Sequence, residues 1–442
     1  MTAPTRTIPP RRGACPGLSA PMSTGDGLLT RFAPIGTIAL AAFKRLCAAA
    51  RTYGNGIVEV TARGNIQIRG LSGGSARQFA DEIAALDIAA QDGVPIHYNP
   101  LSGIDAEEIL DVTPLAFELR RILAQRPAAT SLNAKVSVAI DGGAKLSLAR
   151  VAADIRLTAQ SMNGKTLLRV AAGGDDASAV DLGFVAPDNA AEVAWRLLGL
   201  LAERGHHARA CDIIAAEGAA IFREVLSMHP ALRWTPAPAD AGQIRHDRNE
   251  LCHNAPVIAL HRLRDGSLAC GIGLPFGHAE TGALEQLADA AALAGACGLR
   301  AAPDRALLAI GLTEQAAADF VAAAEQLNFV TRADDPRRRV LACAGAPLCA
   351  SAYLATRALA PQIAAAAAPH LAGDFTIHIS GCAKGCAHPA AAALTVVGTA
   401  GDCALVANGS THDASFAAMP VNDLPAAIER YLGDHTAAQI RV

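Results

Sequence analysis

Four cysteines stand in two short stretches. "LACAGAPLCAS" places Cys343 and Cys349 with five residues between them, and "HISGCAKGCAHP" places Cys382 and Cys386 with three between. Gly345, Gly381 and Gly385 lie among them. A thiolate set that binds a cluster needs backbone N–H groups near its sulfurs, and glycine lets the main chain come close. Four thiolates are the ligand count of a [4Fe–4S] cluster. A structural zinc site also takes four, although usually in tighter C-x2-C knuckles. A third reading leaves all four as packed core cysteines. The other seven, at 15, 47, 211, 252, 270, 297 and 403, are scattered and read as small buried residues.

A second stretch could bind anions. "IVEVTARGNIQIRG" (57–70) alternates, with Glu59, Thr61, Arg63, Asn65, Gln67 and Arg69 on one parity and Val58, Val60, Ile66 and Ile68 on the other. Such alternation reads as one or two strands with a polar and an apolar face. Arginine meets carboxylates through charge-assisted, often bidentate hydrogen bonds, and Asn and Gln add neutral contacts. The alternative is a strand face that is only solvated.

The elements that must position these groups show a long-range repeat. "GTIALAAFKRLCAAARTYGNGIVEVTARGNIQIRGL" (36–71) aligns without a gap on "GHAETGALEQLADAAALAGACGLRAAPDRALLAIGL" (277–312), with Gly36 on Gly277, Gly54 on Gly295 and Gly70 on Gly311. Asp26-Gly27 and Asp265-Gly266 precede the two copies. Each copy reads as a strand, a helix ended by glycine, and a strand pair. The polar parity of the first copy becomes Arg300, Ala302, Asp304, Ala306, Leu308 and Ile310 in the second, so a ligand surface is expected in the first copy alone. Between the copies, 132–157 reads as strands around an Asp141-Gly142-Gly143 turn, 189–205 as a helix, and 233–247 as a linker rich in Pro and Ala.

Bulk properties bound the function. With 442 residues, 18% charged and a formal net charge of −3, the chain suits two to four globular domains and gives no sign of a nucleic-acid partner. The N-terminus has arginines but no apolar h-region, and no apolar run is long enough to span a membrane, so a cytoplasmic protein is expected. Eleven cysteines without an export signal suit a reducing compartment, where clustered cysteines more often bind metal than pair. "GIGLPFG" (271–277) lacks the spacing of a dinucleotide fingerprint, so a nicotinamide would be carried by a separate NAD(P)H-dependent reductase.

C-x5-C and then C-x3-C in a duplicated α+β chain resembles the sulfite and nitrite reductase superfamily, whose "T-x-R-x-x-x-Q" signature stands here as Thr61, Arg63 and Gln67. The resemblance implies an α+β, internally duplicated reductase-like fold with two ferredoxin-like half-repeats and two α+β cluster/tetrapyrrole-type domains. The expected boundaries are a lead segment at 1–20, half-repeats at 21–95 and 253–330, a first α+β domain at 96–232, a linker at 233–252, and a cluster-binding domain at 331–442. It also implies that Cys343, Cys349, Cys382 and Cys386 hold a [4Fe–4S] cluster, and that the polar strand lies against a tetrapyrrole. Arg31 in "GLLTRFAPIG" aligns approximately with an anion-binding arginine of the reductases, and Lys135 in "LNAKVS" with the first of two strand lysines; Ser137 replaces the second.

Within the superfamily the chain most resembles the precorrin-3B synthases, through "RRGACPGLSAPM", "GNGIVEVTARGNIQIRGL" and "SGCAKGCAHP". That likeness implies a monooxygenase that takes precorrin-3A and dioxygen, hydroxylates C20 and closes a γ-lactone in aerobic cobalamin biosynthesis. Its cofactors would be the cluster and a mononuclear non-haem iron, with NADH as ultimate electron source and sirohaem absent. Thr61, Arg63, Asn65, Gln67, Arg69, Arg31 and Lys135 would then bind substrate. No residue is legible as a ligand of the second iron; His388, two residues after Cys386, is a weak candidate, and Cys15 reads as packed. Two rivals stay open: a sirohaem-dependent sulfite or nitrite reductase, and a non-catalytic iron–sulfur electron carrier.

Overall fold

The computed structural model describes residues 16–86, 88–91, 93–126, 131–236, 255–370 and 375–434. Cys15, Cys252 and most of the expected linker and lead segment lie outside these residues. The chain forms two compact units, one mainly from 90–255 and one from 18–89, 256–261 and 267–442.

The second of these units carries the repeat. Its first copy runs β1 (Met22–Thr24), β2 (Gly27–Pro34), β3 (Ile38–Ala39), α1 (Leu40–Tyr53), β4 (Ile57–Val60), β5 (Ile66–Leu71) and α2 (Gly73–Ala84). The other unit follows with β6 (Ala90–Gln91), β7 (Ile96–Tyr98), α3 (Thr113–Ala124), β8 (Val138–Asp141), β9 (Ala153–Met162), β10 (Lys165–Gly174), β11 (Val180–Val185), α4 (Pro187–Glu203), α5 (Ala210–Glu217), α6 (Ala220–Ser227) and β12 (Thr235–Pro236). Its sheet runs β12-β11-β10-β9-β8-β7. Against it lies α4, which buries nine residues from Ala190 to Leu201 along one face.

Three expectations are corrected in this unit. No hairpin forms around Asp141-Gly142-Gly143, because β8 pairs with β9 in parallel and the chain must cross over before returning. The Asp141 carboxylate organises that crossover by accepting from the N–H groups of Gly143 and Leu148 and from Ser147 Oγ. Lys135 is exposed in a turn before β8 rather than on a strand, with its N–H bonded to Asn133 Oδ1. Finally, the expected linker begins as β12, paired with β11.

The second copy comprises β13 (Leu260–Arg262), β14 (Leu268–Gly273), β15 (His278–Glu280), α7 (Thr281–Leu293), β16 (Gly298–Ala302), β17 (Ala306–Leu312) and α8 (Glu314–Gln326). The register that superposes Gly36 on Gly277 also superposes α1 on α7, β4 on β16, β5 on β17 and α2 on α8. Even the caps repeat: Ser72 and Thr313 each accept from the N–H three residues on. The copies also exchange edges. One sheet runs β1-β2-β5-β4-β15 and the other β13-β14-β17-β16-β3, so the short strand just before each copy's first helix (β3, β15) completes the other's sheet.

A third sheet in the same unit is built from β18 (Val340–Ala342), α9 (Thr356–Ala367), β19 (Ile377–Ser380), β20 (Ala392–Gly398), β21 (Cys403–Gly409), β22 (Ala417–Met419) and α10 (Leu424–Asp434). β18, β19 and β20 are parallel neighbours, and β20 to β22 continue antiparallel. Val340, Ile363, Ile377, Leu394 and Ile428 are fully buried between the sheet and its helices. No described helix is long and apolar enough to cross a membrane.

Candidate functional site

The alternating stretch at 57–70 is two strands and a tight turn. Thr61 closes the turn: its N–H donates to Asn65 O, and its hydroxyl accepts from Asn65 N–H at 3.1 Å. Gly64 sits at φ +75°, and a Cβ there would lie 2.8 Å from the Ala302 carbonyl carbon, so glycine is required on both counts. Arg63 is exposed and bridges Pro303 of the second copy. Thr61 and Asn65 are thus turn-forming residues, which the alternation alone did not reveal.

The strands carry the more organised chemistry. Arg31 on β2 stands opposite Gln67 on β5, Gln67 opposite Glu59 on β4, and Glu59 opposite His278 on β15. Residues paired across strands share a face, so these four form one row over four strands. Arg31 donates to Gln67 Oε1 from Nε (3.0 Å) and Nη2 (2.7 Å), and Gln67 Nε2 donates to Glu59 Oε2. From the first turn of α9, Arg357 Nη2 donates to Glu59 Oε1 at 2.6 Å. Beside the row, Arg69 grips Asp26 with two bonds of 2.8 and 2.7 Å.

These charges are held firmly. Burial would raise the Asp26 carboxyl, but the bonds from Arg69 and Thr24 and the Arg69 charge bring it below the ordinary carboxylate range. Burial opposes the Arg69 charge, yet its bond to Asp26 and the charges of Glu59, Asp26 and Cys386 drive its pKa upward. Cys386 therefore lies within electrostatic reach of the polar face. Burial, and then the Arg357 charge, lower His278 to about 4.

The cysteines lie at the carboxyl ends of adjacent parallel strands. Cys343 follows β18 directly, and Cys382 follows β19 by two residues. Gly381 N–H donates to Cys343 Sγ at 3.2 Å, and Tyr353 N–H donates to Gly381 O at 2.7 Å, which ties the two loops together. Ala350 N–H donates to Gly25 O at 2.9 Å, joining the first loop to the turn before β2. One close approach leaves no room for a side chain beside sulfur: a Cβ on Gly25 would lie 2.4 Å from Cys349 Sγ, whereas one on Gly381 would meet the Ala352 Cβ at 2.6 Å. None of the four is paired in a disulfide, and among the described residues no three His, Cys, Asp or Glu side chains are gathered as a metal cage. Four thiols, glycine backbone and an N–H already on sulfur are the donor set an iron–sulfur cluster needs; ligation requires the side chains to turn towards one another.

His388 stands apart from that set. Its ring packs edge-on against His378 at 5.8 Å, with Nε2 3.2 Å from Ala391 O. His378 is fully buried on β19 with neither ring nitrogen bonded, and burial, then the neighbouring His388, lower it to about 4.

Sequence reading placed Arg31, Gln67 and Arg69 where they converge, but it missed Asp26, Arg357, His278 and Gly25. Asp26 was legible only as half of a turn. Arg357 stands in "LATRAL", an ordinary helical stretch, and only the chain path brings it to Glu59.

The nitrite/sulfite reductase ferredoxin-like half domain family matches residues 20–86. A precorrin-3B synthase from Sinorhizobium is 36% identical over 95% of this chain and 88% of its own length. A ferredoxin sulfite reductase from Mycobacterium tuberculosis is 25% identical, covering 65% of this chain and 54% of its own, so the match spans about half of that reductase. Among solved structures, M. tuberculosis NirA shares the fold with a TM-score of 0.71 at 19% identity, over 92% of this chain and 80% of its own. Identity at that level along nearly the whole length, on the fold of the sulfite and nitrite reductases, makes this chain a member of the precorrin-3B synthase family.

Proposed function

We propose that the protein converts precorrin-3A to precorrin-3B, hydroxylating C20 with γ-lactone formation in aerobic cobalamin biosynthesis. The observation that carries this reading is that one unit joins an arginine-bearing polar face to a four-cysteine loop pair, in a chain of this family. Precorrin-3A is a tetrapyrrole with many carboxylates, so the face that seats a tetrapyrrole would seat the substrate, with no sirohaem bound. Arg31, Arg63 and Arg69 would hold carboxylates, and Gln67 would orient Arg31 through its amide oxygen. Thr61 and Asn65 would shape the turn that presents Arg63.

Cys343, Cys349, Cys382 and Cys386 would hold a [4Fe–4S] cluster, with Gly25 leaving room at Cys349 Sγ and the Gly381 N–H donating to Cys343 Sγ. Cluster and non-haem iron together supply single-electron delivery and dioxygen activation when bound. The electrons come ultimately from reduced nicotinamide through a separate reductase; one oxygen atom enters the macrocycle and the other leaves as water. The expected half-repeat and cluster-domain boundaries are kept as the functional division of the chain.

Anaerobic purification, analysis of iron, acid-labile sulfide and sirohaem, and exposure to precorrin-3A with dioxygen and a reductant test this. Cluster without sirohaem and oxygen-dependent loss of precorrin-3A is expected. Tight sirohaem absorption, or sulfite or nitrite reduction in place of precorrin turnover, would overturn it.

A further inference from the structure

We propose that Arg357 is a substrate-carboxylate anchor, standing at the opposite end of the polar row from Arg31. The inference rests on the reading of this face as a tetrapyrrole seat. Arg357 uses one nitrogen, Nη2, on Glu59 Oε1. Its Nε and Nη1 are buried without any hydrogen-bond partner, and its side chain is 14% exposed. A guanidinium does not shed its charge in a protein, so buried donors of this kind call for an acceptor.

The neighbours do not supply one. Glu59 is occupied on both oxygens, by Arg357 and by Gln67. His278, paired with Glu59 across the sheet, is kept neutral by burial and by the Arg357 charge. The other buried arginine of the face is matched differently: Arg69 places Nε and Nη2 on the two oxygens of Asp26.

Spacing identifies the ligand class. Arg31 lies on β2 and Arg357 over Glu59 on β4, with β5 between. Two strand spacings put the Arg31 and Glu59 backbones about 10 Å apart, and the Gln67 and Glu59 side chains stand between the two guanidinium groups. Separate carboxylates on the rim of one macrocycle can meet both ends. A single small oxyanion cannot.

The test uses full-length, cluster-loaded protein and uroporphyrin III, a tetrapyrrole with carboxylates around its rim, titrated anaerobically by absorbance and fluorescence. Arg357→Ala should weaken binding about tenfold or more, and Arg357→Lys by less, with iron and sulfide content unchanged. Glu59→Gln should tighten binding, because it removes a competing carboxylate and releases Nη2. A merely structural Arg357–Glu59 contact would make both substitutions weaken it. If Arg357→Ala does not fold, Arg357→Lys and Glu59→Gln decide by their opposite signs. Wild-type affinity in both Arg357 variants, alongside a loss in Arg31→Ala, would overturn the anchor and leave the tetrapyrrole reading standing. No binding of uroporphyrin by the wild type would overturn both.

Discussion

Alanine at Gly25 probes the cysteine loops without touching a cysteine. The new methyl carbon would stand 2.4 Å from Cys349 Sγ and 3.2 Å from the Ala350 amide nitrogen. Ordinary contact begins near 3.4 Å, so the sulfur must retreat by about 1 Å. Separation of the backbones is resisted by the Ala350 N–H to Gly25 O bond. A free thiol can retreat by rotating about its Cα–Cβ bond, at about 0.5–1.5 kcal/mol for a strained rotamer. A thiolate bonded to iron has no such freedom. Gly25→Ala should therefore fold, at a cost of about 1–3 kcal/mol for overpacking, and lose most of its cluster. The assay is anaerobic reconstitution with iron and acid-labile sulfide counted per chain, beside a denaturant titration. Gly74→Ala is the matched control: nothing lies within 4 Å of the added carbon, and in the first turn of α2 alanine should be neutral or stabilise by at most about 0.5–1 kcal/mol. A Gly25→Ala protein that loads its cluster like wild type would refute the placement of Cys349 as a ligand beside this turn.

Other expectations concern charge. Asp26→Ala strands the 13% exposed Arg69 without its carboxylate and should cost about 3–5 kcal/mol in chemical denaturation; a loss below 1 kcal/mol would mean water serves Arg69 equally well. Asp26 is lowered in the native state, so its contribution is present above the unfolded carboxylate value near 3.8 and is lost as pH falls through the lower native value. His278 and His378 have native values of about 4 against an ordinary 6.5. The unfolded chain therefore takes up their protons first, and stability drains away as pH falls from 6.5 towards 4, by roughly 3 kcal/mol for each histidine. A melting temperature flat over that window would contradict their burial as neutral rings. Arg63→Ala should weaken tetrapyrrole binding without changing iron or sulfide, as titration with uroporphyrin would report; unchanged affinity would mean this exposed arginine takes no part in binding.

Local pattern made much of this legible. Alternation at 57–70 identified a one-sided polar face, since strand side chains change sides at every residue. Gapless glycines exposed the repeat, because they mark places where the backbone leaves ordinary conformations. Pattern could not show that the copies trade their edge strands, which is a choice of partner between distant segments. Nor could it separate Gln67, which lies in the row, from Asn65, which closes the turn: both are polar and share a parity. Lys135 shows the same limit, since a motif places a residue type and the local chain decides whether it stands on a strand. Arg357 and Gly25 carry no signal of their own type or spacing, and only three-dimensional proximity to Glu59 and Cys349 reveals them.

The central claim is that the tetrapyrrole on this face is substrate and not cofactor. It is tested most directly by a single turnover. Anaerobic, cluster-loaded protein is mixed with one equivalent of precorrin-3A and reductant, isotopically labelled dioxygen is admitted, and the macrocycle is analysed by mass spectrometry. The account predicts one labelled oxygen atom in the released tetrapyrrole. A protein that retains a tightly bound iron tetrapyrrole and returns precorrin-3A unlabelled would contradict it.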